Sequence, residues 1–275
     1  MRVVHRWFGK KTLFRWITML ALVRIIKKPG LPPKFLVIAG LILVGTAFFA
    51  FYSKPAFNPD AELRRIRNES PDVAEKIRDT IGDIIEKDGI YGAMAFVERA
   101  FTTGAISLTQ CHIILHIVGH EAYERSPEDV ASIALKKSNI CIASFQHGVE
   151  GQIIFLSENS REAADKLKRY CGALRDFFPG IRCYHGAGHG FIKSSRDAEP
   201  ALKFCDSLAG GPENDLSDCY RGVFSEYANL ASRYDGDTGR TIPGEPLVKL
   251  DIERPYDFCK PFAERYRESC YSQLS

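Results

Sequence analysis

The chain has 275 residues with 37 Lys and Arg against 34 Asp and Glu, a formal net charge of +3. That near-balance conceals an asymmetry. Ten basic residues lie at or before Lys54, leaving 27 basic against 34 acidic, about −7, in the rest. Nothing in an acidic body of this kind suggests a polyanion partner, and no nucleic acid is expected.

The N-terminal arm, residues 1–34, holds Arg2, Arg6, Lys10, Lys11, Arg15, Arg24, Lys27, Lys28 and Lys34 and no acid. Within it the apolar stretch Trp16 to Val23 is too short to span a bilayer and reads as an interfacial helix on anionic headgroups. Residues 35–52, FLVIAGLILVGTAFFAFY, form an uncharged run of 18, about the length that crosses a hydrocarbon core of roughly 30 Å. The run exceeds a usual signal-peptide core, and Phe48 and Phe51 stand where a cleavage site wants small residues. An uncleaved signal anchor is expected. Lys and Arg flanking a span stay cytoplasmic, so the N-terminus is expected inside and the C-terminus outside the cell membrane.

After a Pro-containing linker, 53–59, the stretch 60–275 is long enough for one domain with a sizeable core. Helix signals dominate it. SPDVAEKIRDTIGDIIEKDG predicts a helix with Ser70 as N-cap, Pro71 in the first turn and an end at Gly89. SPEDVASIALKKS repeats the device from Ser126, and NSREAADKLKRYCGAL and DAEPALKFCDSLAG have helical period and composition. Alternating β-type runs are nearly absent. The predicted fold is all-α: a transmembrane helix followed by a disulfide-stapled array of αα-hairpins.

All eight cysteines (Cys111, Cys141, Cys171, Cys183, Cys205, Cys219, Cys259, Cys270) lie beyond the apolar run, as in a disulfide framework of an oxidising compartment. Segments headed by Cys111, Cys141, Cys183 and Cys219 form a weak internal repeat, aligned so that His147, His189 and Ser225-Glu226 fall six or seven residues after a cysteine. Helices carrying Cys171 and Cys205 precede two of these segments across Pro-Gly breaks. The spacing pairs 171 with 183, 205 with 219 and 259 with 270, leaving 111 with 141. Each closed loop of this size contributes roughly 3 kcal/mol in the chain-entropy model.

Six of the seven histidines fall inside the cysteine-headed segments. His112, His116 and His120 recur at i, i+4, i+8, a stripe about 12 Å long on one helix face, so one ion takes an adjacent pair and not all three. His185 and His189 make a second i, i+4 pair, and His147 has Glu150 one turn on. Such pairs converge on a metal ion. Gly148, Gly151, Gly186, Gly188, Gly190 and Gly222 interleave with them, although a helical Gly costs roughly 1 kcal/mol relative to Ala. A close backbone approach, by a neighbouring helix or by a ligand, would account for them.

The expected site is a metal centre drawn from His112, His116, His120, His147, His185 and His189, with His120 the outlier. Glu150 or Glu226 would carry protons if the protein is an enzyme, which the residues do not decide. Imidazole with carboxylate suits zinc, copper, iron or manganese. Haem is the other cofactor considered, non-covalent because no CxxCH occurs, with Phe145, Tyr184, Phe191 and Phe224 lining it. The alternative reading is a helical-repeat scaffold for a protein or envelope partner, with structural histidines. His120-Glu121 lacks the second His of HExxH, GAGHG follows no strand, and Asp235-Gly-Asp237 departs from a calcium loop at its sixth and twelfth positions.

Overall fold

A computed structural model describes residues 57–137, 141, 143–177, 183–208, 213–236, 238–251 and 253–274. The basic arm, the apolar run 35–52 and linker residues 53–56 lie outside the described residues. Among the described residues no helix is long and apolar enough to cross a membrane.

The described chain is helical. Its elements are α1 (Pro59–Glu69), α2 (Val73–Thr102), α3 (Leu108–Arg125), α4 (Val130–Lys137), α5 (Ser144–Phe155), α6 (Ser160–Phe177), α7 (His185–Ser195), α8 (Ala198–Ser207) and α9 (Glu213–Ala231). A short antiparallel hairpin, β1 (Tyr234–Asp235) and β2 (Arg240–Thr241), then leads to a 3-10 turn (Pro255–Cys259) and α10 (Glu264–Gln273).

Two helix starts differ from the expectation. Ser70 closes α1, its N–H donating to Ile66 O at 3.0 Å, and the side chain of Asp72 caps α2 by accepting the Glu75 N–H at 2.9 Å. Ser70 itself is extended, at φ −141° and ψ 136°, as residues before proline usually are, and the cap falls to Asp72, two residues further on. Ser126 ends α3 in the same manner, and α4 begins only at Val130. Nor does α2 end at Gly89. The glycine kinks the chain at φ +75°, and a second apolar set (Ala93, Met94, Phe96, Val97, Ala100) carries the helix on to Thr102.

Helices α3, α5, α7 and α9 lie side by side, with α2 flanking α3. Gly148 rests on the backbone of His116, Gly186 on that of His147, and Gly222 on that of His185, so adjacent helices run parallel in one repeating register. Helices α4, α6 and α8 form a second row outside them, and α10 packs on α9. Alternation of the two rows is the hairpin array expected from the repeat, each hairpin burying its apolar face against its neighbours.

All four disulfides have the expected pairing. Cys171–Cys183 and Cys205–Cys219 fasten an outer helix to the inner helix that follows it. Cys111–Cys141 differs in kind: it joins the first turn of α3 to the residues just before α5. Behind these staples α5 and α7 start alike, on the left-handed residues Ala143 (φ 57°) and Tyr184 (φ 77°). Such a conformation costs an L-residue roughly 1–2 kcal/mol.

The β1–β2 hairpin returns across the array. Arg78 Nη1 on α2 donates to Thr238 O and Gly239 O at 3.2 Å, Gly239 lies against Ile113 on α3, and Gly236 lies against Glu226 and Asn229 on α9.

Candidate metal centre

The repeating register brings the histidines together. With glycine at the contacts, the inner helices touch backbone to backbone, and a Cβ at Gly119, Gly148, Gly186, Gly188 or Gly222 would stand closer than 3.0 Å to a backbone atom of the next helix. The glycines therefore serve a neighbouring helix.

Five imidazoles form a contiguous group. Ring centroids are 4.5 Å apart for His112–His116, 5.4 Å for His112–His147 and 5.5 Å for His116–His147. The group continues through His147–His185 and His185–His189, both at 4.8 Å, and closes with His116–His189 at 6.2 Å. His120, one turn beyond His116, faces Gly151 instead, its Nε2 lying 3.5 Å from where a Cβ would sit there. One ring nitrogen from each of His112, His116 and His147 can be chosen so that all three lie within 4.8 Å of one another.

Hydrogen bonds fix which nitrogen three of the rings present. Ser144 Oγ gives its proton to Cys141 O, so its 2.6 Å contact with His112 Nδ1 has the imidazole N–H donating. His112 Nδ1 also lies 3.3 Å from Cys141 O. His185 Nδ1 donates to Asp218 O at 3.2 Å, and His189 Nδ1 donates to Glu226 Oε2 at 3.1 Å. In each of these rings Nδ1 faces a protein acceptor, and Nε2 is the nitrogen on the opposite edge of the imidazole. A histidine whose far N–H is held by a carbonyl or carboxylate is the usual arrangement behind a metal.

The Nε2 atoms of His185 and His189 stand 3.0 Å apart. Two imidazole nitrogens this close share either a proton, as an N–H···N hydrogen bond, or a metal ion. Burial first, then the neighbouring His189, pushes His185 well below the ordinary histidine range. Burial and the charges of His185, His116, His112 and His189 do the same to His147. Neutral imidazole, the ligating form, is thereby favoured at His147 and His185.

Both carboxylates singled out in the sequence are wholly buried. Glu150 Oε2 accepts the N–H groups of Gly186 at 2.8 Å and Ala187 at 3.3 Å, and so caps α7 from the neighbouring helix. Its Oε1 lies 3.2 Å from Cys183 Sγ, but that sulfur is in a disulfide, so Glu150, Cys171 and Cys183 offer no thiolate metal set. Burial raises the Glu150 carboxyl to about 8 against the pull of those backbone donors. Glu226, besides holding His189, accepts from Asn229 Nδ2 at 2.8 Å and pairs with Lys193 at 3.4 Å.

The aromatic residues considered for a haem pocket are engaged elsewhere. Phe191 stacks on Phe204 at 3.8 Å, Phe224 meets Phe262 edge-on at 5.4 Å, and Phe145 and Tyr184 are buried in the core. Residues that the sequence reading passed over include Ser144, Asn229 and Lys193, together with the carbonyls of Cys141 and Asp218. The i, i+3 spacing of Glu226 and Asn229 is a signal that would have found one of them; a backbone acceptor leaves none.

Structural register also corrects the repeat alignment. His185, not His189, corresponds to His147, because each is followed by the glycine that meets the preceding helix. Arg221, which precedes Gly222, occupies the same place on α9. The cysteine misled because its offset to the equivalent position is not constant: six residues from Cys141 to His147 but two from Cys183 to His185. Comparison of the chain with known protein families, curated proteins and solved structures finds no match.

Proposed function

We propose that this protein is a membrane-anchored, extracytoplasmic metal-binding protein whose stapled helical array holds a transition-metal ion through imidazoles. The observation that carries the reading is the triad His112, His116 and His147, whose ligand atoms lie within 4.8 Å of one another. An all-imidazole set suits zinc, copper or iron. Three protein ligands leave a fourth position for water or substrate, the arrangement of catalytic rather than structural zinc sites. Ring-to-ring contacts leave no slot for a macrocycle, which favours an ion over haem.

In this reading Glu226 is a positioning residue that sets the His189 ring, and Glu150 holds the start of α7. A scaffold with structural histidines would scatter them along the array; their convergence speaks for a common centre. The reading places residues 35–52 in the membrane and the array on the oxidising side, where four disulfides persist.

The test is elemental analysis of the full-length chain purified in detergent, beside His116→Ala. Near-stoichiometric metal, lost in the variant while its helical circular dichroism is kept, is the expected result. A metal-free wild-type protein that takes up none of zinc, copper, iron or manganese on reconstitution overturns the reading.

A further inference from the structure

The triad uses only part of the cluster. Among the described residues, neither His185 nor His189 joins a three-ligand group within 4.8 Å, so the two histidines of α7 do not share the triad's focus. Yet they have their own. Their Nε2 atoms are 3.0 Å apart. Two nitrogens on one tetrahedral ion, each about 2.0–2.1 Å from it, stand roughly 3.3 Å apart, close to the observed separation.

Each also has its own support: Asp218 O behind His185, and Glu226 Oε2 behind His189. Glu226 is in turn held by Asn229 and covered by Gly236, where a Cβ would fall 2.6 Å from the carboxylate oxygen. Glu226 also pairs with Lys193, so the His189 ring is set by a fixed polar network, the support a ligand ring needs to hold its orientation.

We propose that the cluster holds two metal ions, one on His112, His116 and His147 and a second on His185 and His189. This rests on the metal-binding reading above. Helix α5 supplies the link: His147 sits between the two i, i+4 pairs of α3 and α7, in ring contact with both. The His116 and His189 rings, one from each set, stand 6.2 Å apart. Paired ions about 3.5–4 Å apart clamp one small bridging ligand, such as water, hydroxide or a single oxyanion, between them. The second ion makes the site one for a small oxygen-donor ligand rather than an extended organic substrate.

Cobalt(II) tests this, because its visible absorption reports coordination and its uptake can be counted. Full-length apo-protein in detergent is titrated with cobalt(II), followed by absorption and by metal-to-protein ratio after desalting. The expected endpoint is two equivalents. His189→Ala and His189→Gln should each retain one, with the triad's spectrum intact, and Glu226→Gln should weaken the second equivalent by about 10–100-fold while sparing the first. Saturation of the wild type at one equivalent overturns the two-ion centre and leaves the metal-binding reading standing. Two equivalents that survive in both His189 variants also overturn it, since the second ion then lies elsewhere. No uptake at all overturns both readings.

Discussion

Gly186 lies against the backbone of His147, with the carbonyl oxygen, carbonyl carbon and Cα of His147 all closer than 3.0 Å to where its Cβ would be. Helices α5 and α7 can therefore bring their imidazoles to 4.8 Å only while this position has no side chain. Gly186→Ala should destabilise the protein by about 1–3 kcal/mol through overpacking and lower metal affinity as well. Gly82 on α2 has open space, and Gly82→Ala should stabilise by about 0.5–1 kcal/mol with metal uptake unchanged. Urea unfolding of both variants, with chelator competition, checks the pair. An unaffected Gly186→Ala would contradict the packing account.

Glu150 makes stability depend on pH with a definite sign. Its carboxyl goes from an ordinary 4.5 to about 8 on folding, chiefly by burial, with the charge of Asp218 adding to the rise. A group raised in this way contributes stability below pH about 4.5 that is lost as pH climbs through about 8. Glu150→Gln keeps an acceptor for the Gly186 N–H and carries no charge, so it should flatten that part of the stability–pH curve. Glu150→Ala removes the cap and should cost about 1–2 kcal/mol even at low pH. Chemical denaturation between pH 4.5 and 9 separates the two variants.

The four disulfides should not be equivalent. Cys171–Cys183 closes a loop with a sequence separation of 12 and Cys111–Cys141 one of 30. Double Cys→Ala replacement should cost about 3 kcal/mol at the first and nearer 4 kcal/mol at the second by loop entropy. Only the second also frees the Cys141 carbonyl that faces His112 Nδ1, so only there should metal affinity fall along with stability. Thermal unfolding and metal competition on the two double variants read both effects.

The apolar run makes a prediction of its own. Full-length protein should stay in the membrane fraction through a carbonate wash, and removing residues 35–52 should release it. A thiol reagent that does not cross membranes should label the reduced array from the outer face only. Labelling from the cytoplasmic face would reverse the assigned orientation.

Much of the fold was legible because its signals are local. Helical period and most of the cysteine spacings are signals between residues near one another in the chain, and short loops closed by cysteines admit few pairings. Helix starts were less legible. Ser70 and Ser126 each precede a proline, and each proved to end one helix instead of opening the next. The same residue types suit either job, and at α2 the aspartate two residues further on takes the cap.

The histidines and glycines divide in the same way. Sequence alone determined that imidazoles would recur at i, i+4 on α3 and α7, and that glycines would alternate with them, because both follow from the helical repeat. It could not determine the register between helices. That rests on contacts such as Gly222 against His185 and Gly186 against His147, between residues 37 and 39 positions apart in the chain. Tertiary structure also selected the outward nitrogen of His112 and His185, through carbonyls of Cys141 and Asp218 that every sequence possesses and only a fold can aim. The ligand types are thus a property of the chain, while their common focus comes from close helix packing, which depends on atoms that are missing from glycine.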